Sequence, residues 1–150
     1  MSSVQPIDDF LNQESYAVVG VSRTGKKFGN SVYRMLKERG FAVFPVNPQV
    51  GSIDGDRCYA RVQDLPKRVG GVVIVVPPKQ TERVLKDVAE AGIRRVWMQQ
   101  GSESKRAIQY CDQFGIEAVY GRCIFMFAEP VESIHKVHRW VANLFHRLPT

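Results

Sequence analysis

The chain has 150 residues, 44% hydrophobic and 24% charged, with a net charge of +6, the profile of one globular domain large enough to bury a core. No apolar run is long enough to span a bilayer, and Met1–Gln5 has neither a basic start nor an apolar signal core. A membrane protein is therefore not expected, and the expected compartment is cytoplasmic. The cysteines Cys58, Cys111 and Cys123 are odd in number and widely spaced, with no C-x-x-C pair. That spacing argues against a disulfide framework or a zinc site and for reduced, mostly buried thiols.

In chain order, Ile7–Gln13 reads as a short leading helix within residues 1–14, and Tyr16–Val21 as a buried strand. A helix is expected around Ser31–Arg39, where Val32, Met35 and Leu36 share a stripe, and then a strand over Ala42–Val46. Residues 49–69 are less regular, with a short strand near Cys58-Tyr59 and a helical turn near Val62–Leu65. The apolar run Val72–Val76 precedes a helix over Gln80–Ala91, and Val96–Met98 precedes a helix over Glu103–Phe114 with Ser102 as its N-cap. A strand over Ile116–Tyr120 and a final helix over Val131–Phe145, within 131–147, complete the pattern.

Gly40, Gly92 and Gly115 each end a helix where a left-handed cap is needed, and a strand follows at once. Repeated strand–helix alternation means right-handed βαβ crossovers and a parallel sheet. Near-continuous apolar strands mean helices on both faces. The expected fold is thus a single α/β domain, an open, mostly parallel sheet in three layers. Its strands end in Ser22-Arg23, Asn47-Pro48, Pro77-Pro78 and Gln99-Gln100-Gly101, and such ends gather along one crest where ligands bind.

The net positive charge suggests an anionic partner. The basic residues are dispersed without a recognition motif, so nucleic acid is disfavoured, whereas a small polyphosphate needs only a few local cations. Three phosphate-binding patterns compete for Gly20–Asn30. The P-loop pattern holds through Gly25-Lys26 but fails at Lys27, which stands where a hydroxyl must hold Mg²⁺. The dinucleotide fingerprint lacks its second glycine, replaced by Ser22, and its acid after the second strand, replaced by Asn47-Pro48. NAD(P) stays open as the alternative, with Arg57 available to a 2′-phosphate. The third pattern is a looser anion cradle. Ser22 supplies a hydroxyl, Arg23, Lys26 and Lys27 supply cations, and Asn30 or Ser31 caps the next helix.

Beyond that loop, Pro77-Pro78 offers a flat apolar edge without N–H donors, Gln99 and Gln100 offer amides, and Gly101 allows close backbone approach.

The chain resembles the small single-domain CoA-binding proteins, a family similar to the N-terminal domain of the succinyl-CoA synthetase α subunit. The resemblance is carried by Val19-Gly20-Val21-Ser22, Phe44-Pro45-Val46-Asn47-Pro48, Cys58-Tyr59 with Asp64-Leu65-Pro66, Val76-Pro77-Pro78-Lys79, Val96-Trp97-Met98-Gln99 and Gly121-Arg122-Cys123-Ile124. It covers roughly Gln13 to Phe127, and the order and spacing of these motifs are more specific than any one of them. It implies a Rossmann-like fold with coenzyme A, or acyl-CoA, lying across the crest. Gly20, Ser22 and Lys26 would then address phosphates, Asn47 and Pro48 border the nucleotide, and Pro77 and Gln80 wall the site. The family's charged pair after Arg-Cys is replaced here by Phe127-Ala128-Glu129-Pro130, which puts any function for that stretch in doubt.

The expected ligand site comprises Gly20, Val21, Ser22, Arg23, Lys26, Asn47, Pro48, Val76, Pro77, Pro78, Gln80, Gln100, Gly101 and Arg122. No catalytic residue is assigned. His135, His138 and His146 all fall in the last helix without partners for a metal site, and the resemblance implies no ligase chemistry, because the phosphorylated histidine of succinyl-CoA synthetase lies in a second domain outside these residues. Cys123, next to the cationic Arg122, is the sole candidate for thiol chemistry, against the alternative of a structural cysteine. A carrier or sensor of CoA is the expected role, and a homodimer through the last helix or a sheet edge is compatible with the sequence.

Overall fold

Each apolar run finds two faces to fill. The computed structural model describes residues 4–127, and the expected helix over Val131–Phe145, with its histidines, lies outside them. The described chain runs α1 (Val4–Leu11), β1 (Ser15–Val19), α2 (Phe28–Glu38) and β2 (Ala42–Val46). A hairpin of β3 (Ser52–Ile53) and β4 (Asp56–Arg57) and a 3₁₀ turn at Val62–Asp64 follow. Then come β5 (Gly71–Ile74), α3 (Pro78–Glu90), β6 (Arg95–Gln99), α4 (Lys105–Gln113) and β7 (Glu117–Arg122), with a 3₁₀ turn at Ile124–Met126.

The five-stranded sheet has the order β2-β1-β5-β6-β7, and every pairing in it is parallel. The chain builds outward from β1 to β2, then returns past β1 to build the other half. The winding therefore reverses between β1 and β5, the switch point at which doubly wound sheets open a crevice. This is the Rossmann-like α/β fold that the alternation and the resemblance led one to expect.

Strand pleating divides the apolar runs between two cores. Tyr16, Val18, Val73 and Trp97 pack with Ile7 and Phe10 of α1 and with Val32, Tyr33 and Leu36 of α2. Ala17, Val19, Val72, Ile74, Val96 and Met98 pack on the opposite face with Leu85 and Val88 of α3 and Ala107 and Cys111 of α4. Among the described residues the largest wholly buried side chain is Trp97, and its indole N–H donates to the Arg122 carbonyl at 3.2 Å.

Gly40, Gly92 and Gly115 all take positive φ at the helix ends. Other boundaries move. α2 begins at Phe28 rather than near Ser31, and α3 begins at Pro78, with Pro77 in the extended cap position. β5 ends at Ile74, leaving Val75-Val76 in the crest. The N-cap of α4 is Ser104, whose hydroxyl accepts the Ala107 N–H, and not Ser102. Ser102 is buried instead, its carbonyl accepting from the Thr81 hydroxyl at 2.7 Å. The β3–β4 hairpin was not anticipated, although Asp54-Gly55, both at positive φ, supply the sequence of a two-residue turn. The expected strand at Cys58-Tyr59 is reduced to one bridge between Tyr59 and Val46.

Candidate functional site

The crest is drawn tight at two glycines. Gly20 follows β1 at φ +124°, and a Cβ there would lie 2.2 Å from the Val75 carbonyl oxygen. Gly29, in the first turn of α2, faces Gly20 in turn: a Cβ on it would lie 2.4 Å from the Gly20 carbonyl oxygen. The loops after β1 and β5 therefore touch backbone to backbone, and the start of α2 abuts the first of them. The dinucleotide fingerprint fails by spacing, yet Gly29 still performs the close helix–strand packing that such a glycine provides.

Asn30 is wholly buried beside it. Its side-chain oxygen accepts the Ser22 N–H at 2.8 Å, and its amide donates to the Ser22 carbonyl at 3.1 Å. Asn30 is thus not a helix cap. It grips the loop from within the helix, while Lys27 occupies the cap position without a side-chain bond and Ser31 lies inside the helix. From the other side, the Asn47 amide donates to the Val21 carbonyl at 2.8 Å and its oxygen accepts the Gln49 N–H at 2.8 Å. Arg23 donates to the Gln49 carbonyl at 3.2 Å. The Ser22 hydroxyl accepts the Thr24 N–H at 3.2 Å, which closes a tight turn in the loop.

These contacts enclose a cleft of 540 Å³, within the usual range for small-molecule sites. Of the expected residues, Gly20, Val21, Ser22, Arg23, Asn47, Val76 and Pro77 line it, joined by Lys27, Phe28, Gly29, Gln49, Val50 and Val75. An adjoining depression of 730 Å³ shares Gly20, Asn47, Gln49 and Val76 with it and adds Pro48, Gln80, Arg61, Arg83 and Asp87. A third, of 490 Å³, shares Phe28, Val75, Val76 and Pro77 and adds Gln100, Gly101 and Cys123. Together they form a groove across the carboxyl ends of β2, β1, β5 and β6.

Lys26, Pro78 and Arg122 line none of these three. Lys26 is exposed in the same loop, and its neighbour Lys27 stands at the wall. Pro78 opens α3. Arg122 sets its guanidinium 5.8 Å from the Phe127 ring centre, and its carbonyl accepts the Gln100 N–H. Gln99 turns inward, its side-chain oxygen accepting the Ile124 N–H at 3.0 Å.

The cleft's chemistry is that of an anion cradle. The first-turn N–H groups of α2, at Phe28 and Gly29, have no preceding helical carbonyl to bind, and the helix places its partial positive charge there. No acid lies in that first turn, and Arg23 and Lys27 add full charges at the wall. The three thiols differ in burial. Burial pushes the Cys58 thiol up, and burial with the nearby Asp112 charge pushes Cys111 up to about 12. Only Cys123 is partly exposed. No described group of three or more His, Cys, Asp or Glu residues could hold a metal ion, and no described helix is long and apolar enough to cross a membrane.

A family model described as a CoA binding domain matches residues 14–129. The chain belongs to the CoA-binding domain family. It is 30% identical over 129 residues to acetate–CoA ligase (ADP-forming) II subunit alpha of Pyrococcus furiosus, covering 79% of this chain but 28% of that one. Among solved structures, it resembles a conserved hypothetical protein of Pyrococcus furiosus at 41% identity and a TM-score of 0.72, over 75% of this chain and 97% of that one. The dinucleotide-forming acetyl-coenzyme A synthetase 1 of Candidatus Korarchaeum cryptofilum matches at 27% identity and a TM-score of 0.67, over 75% of this chain and 27% of that one. The chain thus spans about a quarter of the length of these two larger enzymes.

The sequence singled out the crest and offered Lys27 among its cations, though not among the expected site residues, and it missed Gly29, Arg61 and Arg83. Of these three, Gly29 alone carried a local signal, a second glycine just inside a helix that begins earlier than its apolar stripe suggests.

Proposed function

We propose that this chain binds coenzyme A or acyl-CoA across its crest and serves as a carrier or sensor without turning the ligand over. The observation that carries this reading is the meeting of Ser22, Lys27, the start of α2 and Pro77 in one cleft at the switch point. A pyrophosphate suits the first part, where N–H groups, a hydroxyl and cations converge. The apolar wall of Val75, Val76 and Pro77 suits a pantetheine arm directed toward Gln100 and Gly101. Membership of the CoA-binding domain family supports the same ligand. A role in the cytoplasm accords with it.

Thermal unfolding with a ligand panel tests this, since binding to the folded state raises apparent stability. CoA and acetyl-CoA should raise the melting temperature, while NAD, NADP and ATP should leave it nearly unchanged. Stabilisation by NADP without CoA would overturn the assignment and favour a nicotinamide-binding oxidoreductase or redox-sensing domain.

A further inference from the structure

We propose that the depression beside α3 reads a second phosphate, the 3′-phosphate on the ribose of CoA, through Arg83 with Arg61 beside it. This inference rests on the CoA reading above and adds a basis for specificity to it. The central cleft already presents donors for one phosphate group. The 730 Å³ depression continues from it across Gly20, Asn47 and Val76 and brings its own pair of cations.

The acids nearby are already engaged. Arg61 lies 3.5 Å from the Asp87 carboxylate and 3.9 Å from that of Glu90, and the Gln63 amide donates to both, at 3.0 and 2.8 Å. That network holds Arg61 against α3. Arg83 lines the same depression and has no ion-pair partner among the described residues, although Asp87 stands one turn further along the helix. A guanidinium beside an open cleft presents the planar fork that phosphate accepts.

The end of β2 points the same way. A site for an unmodified ribose places a carboxylate there to bind the hydroxyls. Here Asn47 stands there instead, with its amide donating to Val21 and its oxygen accepting from Gln49, so no carboxylate at the end of β2 repels a phosphorylated ribose, and the Asp87 carboxylate that lines the depression is engaged by Arg61 and Gln63. Arg57, the cation that would serve a 2′-phosphate, stacks 4.9 Å over the Tyr59 ring and does not line the depression.

Calorimetric titration of the full chain with CoA, 3′-dephospho-CoA, NADP and NAD tests the proposal. The wild type should bind CoA at least about tenfold more tightly than dephospho-CoA. Arg83→Ala should weaken CoA by about tenfold while leaving dephospho-CoA within about twofold, and Arg83→Lys should recover part of the loss. Equal wild-type affinities for the two CoA forms, or an Arg83→Ala loss shared equally by both, would overturn the specificity role and leave CoA binding intact. Failure of the wild type to bind either form, or tighter binding of NADP than of CoA, would overturn the CoA reading and this inference with it.

Discussion

Substituting Gly29 sets two physical effects against each other in one residue. Alanine is the better helix former by at most about 1 kcal/mol, and less in a first turn. Against that, the added Cβ would sit 2.4 Å from the Gly20 carbonyl oxygen, 2.7 Å from its carbon and 3.2 Å from the Val21 nitrogen. Ordinary contact is near ~3.5–4 Å. The atoms it meets are backbone, which cannot rotate aside, and Gly20 cannot retreat because it is already packed on the Val75 carbonyl. The start of α2 must lift, at the ~1–3 kcal/mol typical of overpacking. Packing wins, and Gly29→Ala should lower the melting temperature by roughly 3–10 °C for a chain of this size. The same displacement should weaken CoA binding, because it moves the N–H groups of the cradle. Gly51→Ala is the control, since nothing lies within 4 Å of its Cβ. Circular dichroism melts of the three proteins, followed by CoA titration, give the readout. A Gly29→Ala variant as stable as the wild type would refute the backbone contact between α2 and β1.

Lys27→Ala should weaken CoA binding by about tenfold, and more than Lys26→Ala, because only Lys27 stands at the cleft wall; equal losses would shift the phosphate toward Lys26. The bonds from Lys37 and Tyr33 hold the Asp56 carboxyl below the usual range and pin the β3–β4 hairpin to α2. Since the depressed form is the charged one, its contribution is present above the ordinary carboxylate range and lost as pH falls through the lowered value. The stability gap between wild type and Asp56→Asn, modest because the pair is half-exposed, should therefore close on acidification below about pH 4, as urea unfolding would measure. In thiol titration at mild alkaline pH, Cys123 should react in the native protein and Cys58 and Cys111 only on unfolding; fast labelling of a Cys111-containing peptide would contradict its burial.

What the sequence alone determined is what short-range physics encodes. The apolar runs at Tyr16–Val21, Val72–Val76 and Val96–Met98, each followed by helix-forming residues and a glycine stop, leave few alternatives to a parallel sheet covered on both faces. From that topology the binding crest followed, and with it Ser22, Asn47 and Pro77 on one cleft. The tertiary structure decided which side chains face the groove. Lys26 and Lys27 are indistinguishable by type, and only the cap of α2 turns one of them to the wall. Asn30 reads as a helix cap by propensity, but its partner Ser22 becomes reachable only when Gly29 lets α2 sit on Gly20. Arg61 and Arg83 flank β5 in the chain, and they share a depression because the segment that crosses from β2 to β5 packs on α3, where Arg61 meets Asp87. No local preference records that packing; it arises from how the crossover and the helix meet once the strands are ordered.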